Sequence, residues 1–266
     1  MSRDFCAYII KTNTFVDYYI SSECDFFRLN KLINIILLEE VKMGNEFEGF
    51  VMPQARMLPV ILLLDVSSSM AHSNKMTELN NSVREMIDSF KKEQIVQSDI
   101  CVSIITFGSE VKIHTELTPA KDIKYTDLTA NGMTYMGRAL DVAYDMIEDK
   151  TKVPKNAYRP VVVLVSDGAP NDDHWEDKLQ KFTTTGRSSK CDRWSLAIGA
   201  DADVAMMKSF LDHPEKEVCY VNDAADIHKF FRFISSSTIQ RSKSDNPNKI
   251  INDIFTTQDI LNLNFD

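Results

Sequence analysis

From about Leu58 to Ser237, short apolar runs alternate with longer amphipathic stretches at regular intervals. Leu58–Leu64, Ile100–Phe107, Val161–Val165 and Trp194–Ile198 are rich in Val, Ile and Leu and nearly free of charge. Strands covered on both faces have this composition. Between them, Met76–Lys92 places Leu79, Val83, Met86, Ile87 and Phe90 on one helical face, with Glu, Lys and Arg on the other. Met136–Glu148 repeats the pattern through Leu140, Ala143, Tyr144 and Ile147, and further helices are predicted over Trp175–Thr183, Val204–Leu211 and Ala224–Ser235. Crossover helices of this kind imply a mostly parallel sheet. Glu110–Leu117 alternates apolar and polar positions, as a half-exposed edge strand does. The pattern therefore predicts an α/β fold, with a mostly parallel central sheet, one antiparallel edge strand and helices on both faces.

This rhythm assigns residues 58–238 to one domain, 1–57 to an irregular N-terminal extension, and 239–266 to a polar C-terminal tail rich in Asn, Ser, Asp and Lys. Glu39-Glu40-Val41, just ahead of Lys42-Met43, can be encoded by a purine-rich run like a bacterial ribosome-binding site. Met43 is therefore a candidate true start, an idea that N-terminal sequencing beginning at Ser2 would sink.

Composition narrows the classes. A chain of 266 residues, 44% of them hydrophobic, can bury a substantial core, and its length suits one large domain with extra segments. Its 30 basic and 39 acidic residues give a formal charge of −9, which argues against gripping nucleic-acid phosphates. Cys6, Cys24, Cys101, Cys191 and Cys219 are odd in number and form no C-x-x-C pair, so neither a disulfide framework nor a zinc knuckle fits. The apolar run Leu32–Leu38 is far shorter than the roughly 20 residues that span a bilayer, and no signal-peptide pattern surrounds it. A soluble, cytoplasmic protein that engages neither nucleic acid nor membrane is the expectation.

The candidate chemistry lies at the predicted strand ends. Asp65-Val66-Ser67-Ser68-Ser69 sends a carboxylate and two alternate hydroxyls from the carboxyl edge of the first core strand, where ligands bind in open α/β sheets. Alone, Asp65, Ser67 and Ser69 fit a helix cap as well as a site for a hard cation. Two further loops favour the site: Ser166-Asp167-Gly168 places a second acid at the same edge, and Asn131-Gly132-Met133-Thr134 delivers another hydroxyl before the helix at Met136. Two carboxylates and three hydroxyls are hard donors suited to Mg²⁺ or Mn²⁺, and too few to satisfy a divalent ion, which keeps an open position.

This arrangement resembles the metal-ion-dependent adhesion site of the von Willebrand factor A family, whose pattern is D-x-S-x-S, then a threonine, then an aspartate. The resemblance implies a Rossmann-like fold in which Ser67, Ser69 and Thr134 bind the metal directly, while Asp65 and Asp167 act mainly through bound water. It also implies that the open position takes an Asp or Glu carboxylate of a protein partner. Leu58-Pro59-Val60, Ile105-Thr106-Phe107-Gly108, Thr129 through Thr134, Ser166 through Asp173, and Phe230 through Ser235 look more narrowly like the TerY-type branch associated with tellurium resistance. Membership there implies a bacterial, cytosolic protein of a stress or phage-defence system, often encoded beside a kinase or phosphatase. Ser68 departs from the glycine often found in the family.

Other readings fare worse. A haloacid-dehalogenase-type phosphatase needs a second acid two residues after its aspartate, where this chain has Ser67. The segment Gly132–Ala139 approaches a P-loop, but Arg138 and Ala139 replace its lysine and its magnesium-binding hydroxyl. No G-x-S-x-G elbow occurs. His72, His114, His174, His213 and His228 lack metal-ligand spacing. Asp172-Asp173-His174 fits either a partner-facing rim or a solvated helix N-terminus. A non-catalytic binding module is the expected function. The alternatives are a metal-dependent phosphoesterase at the same site and a metal that only staples the loops.

Overall fold

The charge-free runs become strands because both their faces are covered. The computed structural model describes residues 11–12, 15–16, 55–93, 98–248 and 257–262. The chain divides into two units, residues 1–53 and 54–266. In the first, β1 (Lys11–Thr12) pairs antiparallel with β2 (Phe15–Val16); Met43 lies outside the described residues.

In the second unit, six strands form one sheet: β3 (Arg56–Asp65), β4 (Ser98–Phe107), β5 (Val111–Pro119), β6 (Val161–Ser166), β7 (Asp192–Ile198) and β8 (Cys219–Val221). Their order is β5-β4-β3-β6-β7-β8, parallel throughout except for the antiparallel edge strand β5. The expected α/β architecture with one antiparallel edge strand is the observed one. β8 escapes the sequence pattern because three residues are too few to show a period.

Six α-helices are described: α1 (Lys75–Lys92), α2 (Met136–Glu148), α3 (Trp175–Thr184), α4 (Val204–Leu211), α5 (Ile227–Lys243) and α6 (Thr257–Asn262). Strand alternation sorts them into two layers. Leu58, Val60, Leu62 and Leu64 of β3 face the cluster that holds Val83 and Phe90 of α1, Phe230 of α5 and Ile260 of α6. Ile61 and Leu63 face the opposite cluster, with Leu140 of α2, Phe182 of α3 and Phe210 of α4. Cys101, Cys191 and Cys219 are buried free thiols, each pushed up to about 12 chiefly by desolvation. No helix among the described residues is long and apolar enough to cross a membrane.

Residues past 238 differ from a polar tail. α5 continues to Lys243, Arg241 and Ser242 are buried, and Ile260 joins the core. The polar groups there are satisfied rather than solvated: Arg241 donates to the carbonyls of Pro247 and Arg159, and Ser98 Oγ donates to Ser242 O at 3.0 Å.

Candidate metal centre

The chain leaves β3 for α1 and β4 on one side of the sheet and returns to β6 on the other. Strand order therefore reverses between β3 and β6, and the crevice at their carboxyl ends is where such sheets bind ligands. Leu64 pairs with Val165, which brings Asp65 and Ser166 level at that edge. Ser166 Oγ donates to Asp65 Oδ2, and the Ser67 amide donates to Asp65 Oδ1 at 2.7 Å. Asp65 is fully buried, and its carboxyl rises to about 6, chiefly through desolvation, against the hydrogen bonds from Ser166 and Ser67 that lower it.

The remaining predicted residues converge on the same crevice. Ser67 Oγ and Ser69 Oγ lie 2.9 Å apart, and Ser69 Oγ donates to Asp167 Oδ1 at 2.7 Å. Ser67 and Asp167 are buried, whereas Ser69 is exposed. Thr134 Oγ1 stands 4.0 Å from the point where a Cβ on Gly168 would lie. Its backbone is clamped by Asn171, whose Oδ1 accepts from Thr134 N at 2.9 Å and whose N donates to Thr134 O at 3.2 Å. All five residues singled out from the sequence, Asp65, Ser67, Ser69, Thr134 and Asp167, thus border one oxygen-lined crevice.

The loops also fasten to one another. Asn131 N donates to Val66 O at 2.6 Å, Ser68 N to Gly132 O at 3.0 Å, and Gly132 N to Ser68 Oγ at 2.9 Å. Ser68 therefore ties the first loop to the second. Gly132 takes a φ of +89°, and a Cβ there would lie 2.1 Å from Ser109 Oγ, so glycine is required on two counts.

The donor set fits a hard divalent cation: two carboxylates and three hydroxyls, with one carboxyl disfavoured as an anion by its burial. Among the described residues no group of three or more His, Cys, Asp or Glu could hold a metal, and the hydroxyls supply three of the five donors here.

A family model for the von Willebrand factor type A domain matches residues 60–233. The chain belongs to the von Willebrand factor type A family. No curated protein matches it. Among solved structures it is similar to proximal thread matrix protein 1 from the mussel byssus, at 15% identity and a TM-score of 0.55, over 70% of this chain and 48% of that one. A second structure of that protein has a zinc-occupied MIDAS motif, the abbreviation for the metal-ion-dependent adhesion site, at 15% identity, a TM-score of 0.54 and the same coverage. The ArnB paralog VWA2 from Sulfolobus acidocaldarius follows at 18% identity and 0.51, over 72% of this chain and 46% of that one. The pilus adhesin SpaC from Lactobacillus rhamnosus GG, in its open conformation, reaches 0.57 at 14% identity, over 71% and 31%. The chain spans less than half the length of each, and the likeness shows the fold alone.

Within this von Willebrand A domain, Asp172 takes neither role expected of it. It is buried, and its Oδ1 and Oδ2 accept from Gly137 N at 3.1 Å and Arg138 N at 2.8 Å, capping α2 rather than forming a rim or the solvated start of α3. The same two bonds occupy amides that a P-loop would aim at phosphate, which removes the physical basis of nucleotide binding there. Two polar contacts to the site went unforeseen. Ser166 was visible beside Asp167 but reads as turn chemistry, and Lys75, whose Nζ donates to Asp167 Oδ2 at 2.7 Å, lies 92 residues away in sequence.

Proposed function

We propose that this domain is a non-catalytic binding module in which Ser67, Ser69 and Thr134 hold Mg²⁺, with Asp65 and Asp167 acting mainly through water. The observation that carries this reading is the convergence of those five oxygen donors at the switch point of the sheet. The metal supplies an electrophilic position for an Asp or Glu carboxylate of a protein partner. The chain's own residues orient it: Ser166 and the Ser67 amide fix Asp65, Ser69 fixes Asp167, and Asn171 fixes Thr134.

Two large apolar side chains stand out as exposed among the described residues, Met133 and Val204, and each is next in sequence to a residue of the loops that border this crevice. Met133 precedes Thr134, and Asp203, just before Val204, donates its amide to Gly168 O at 3.5 Å. Exposed apolar groups around a polar centre suit a protein partner. The zinc-occupied motif of the mussel byssus protein supports a divalent ion at the equivalent place. The TerY-like sequence segments extend the reading to a cytosolic bacterial module that works beside a kinase or phosphatase. A phosphoesterase at this site would need, besides the metal, a nucleophile or a general base to activate a metal-bound water, a role that none of the five residues is assigned in this reading.

The test is a pull-down with the full chain, wild type and Asp65→Ala/Ser67→Ala, each with Mg²⁺ or EDTA. A partner retained by wild type with Mg²⁺ and lost in the other three arms is the expected result. Partners indifferent to both changes would move binding to another surface. Mg²⁺-dependent turnover of a generic phosphate ester, abolished by Asp65→Ala, would make the domain an enzyme.

A further inference from the structure

Lys75 opens α1, and its ammonium lies 2.7 Å from a carboxylate oxygen of Asp167, whose side chain is shielded from solvent. A helix N-terminus favours acids, so a lysine in the first turn runs against the macrodipole and needs another partner. Asp167 is that partner. The path of the chain brings it there: Ser73 and Asn74 adopt left-handed φ values of 55° and 58° immediately before α1, although neither is glycine. Beyond β7, Gly199 lies beside the ammonium, where a Cβ would stand 3.8 Å from Nζ in ordinary contact.

Asp167 is thereby shared, Oδ1 accepting from Ser69 and Oδ2 from Lys75. We propose that Lys75 is the resident counter-ion of this crevice and competes with divalent metal for Asp167, so that metal binding displaces its ammonium. This rests on the reading that the five residues hold a metal. A divalent ion drawing on the same carboxylate meets a positive charge 2.7 Å from one of its oxygens, half-buried, where repulsion is less screened than in bulk water. The lysine thus sets metal affinity low, and without metal it offsets a buried negative charge.

The experiment is calorimetric titration of the full chain with Mg²⁺ and with Mn²⁺, for wild type, Lys75→Gln and Lys75→Arg, alongside thermal melts in EDTA and with each ion. Lys75→Gln should tighten Mg²⁺ binding by about 5–150-fold, the usual range for coupling between two ligands, and lower the melting temperature in EDTA. Lys75→Arg, which keeps the charge, should stay near wild type in both. If Lys75→Gln fails to fold, judged by circular dichroism, Lys75→Met takes its place with the same expectations. Equal or weaker binding in the neutral variant overturns the competition and leaves metal binding standing. If neither ion binds or shifts the melt of any of the proteins, the metal-binding reading falls and the competition with it.

Discussion

Gly132 and Gly168 stand in two loops of one crevice, and the structure treats them differently. At Gly132 a methyl group meets Ser109 at 2.1 Å on a backbone with φ of +89°. At Gly168 the nearest atom lies 4.0 Å away, which is ordinary contact. Gly132→Ala should therefore lose about 1–3 kcal/mol in urea denaturation, the scale of a non-glycine residue forced into such a conformation. Gly168→Ala should change stability by less than ~0.5 kcal/mol. Equal effects would mean that the loop carrying Thr134 is not held as described. At this scale the site was largely legible, because Asp65, Ser67 and Ser69 sit within five residues and each further donor lies beside a predicted strand or helix end. Lys75 was not, since its contact spans 92 positions and a lysine opening an amphipathic helix reads as a solvated face.

At the scale of elements, helices were readable where an apolar face met a polar one, and obscure where polar groups are buried in satisfied form. α2 shows the first case: its predicted and observed limits coincide, from Met136 to Glu148. Its N-terminus, however, is secured by Asp172, 35 residues onward, through two backbone amides. No local capping pattern records that partnership. Asp172→Ala should destabilise the domain by about 1–2 kcal/mol in equilibrium denaturation, the range for a lost cap, while Asp172→Asn keeps one acceptor and should fall between. A loss confined to the alanine variant of Asp173, its exposed neighbour, would overturn this assignment. α5 shows the second case. Its last turns, Ile239 to Lys243, look hydrophilic in sequence, yet Arg241 and Ser242 are buried because each polar group finds a partner.

Those partners belong to a network that joins distant parts of the second unit at the amino end of β7. Asp192 accepts from Lys216 Nζ at 2.5 Å and pairs with Arg241 Nη1 at 3.4 Å. Lys216 also donates to Arg193 O at 3.0 Å and lies 4.1 Å over the Trp194 ring. Burial lowers the pKa of both Lys216 and Arg241 by desolvation, and Asp192 is the main group raising them. The network is asymmetric, with one carboxylate serving two cations, Arg241 buried and Lys216 half-buried. Removing Arg241 as Arg241→Ala leaves Asp192 with Lys216, so the cost should be that of lost hydrogen bonds and packing, about 1–3 kcal/mol. Removing the acid as Asp192→Ala strands both cations, which should cost about 3–5 kcal/mol. Urea denaturation of the two variants ranks them, and Asp192→Ala should be the less stable. The reverse order would show that Arg241 acts by seating the end of α5 through the Pro247 and Arg159 carbonyls, with its charge incidental. Either ranking bears on where the domain stops. Arg241 lies beyond residue 238, and a chain cut there would lose one of Asp192's two cations together with the last turn of α5 that delivers it.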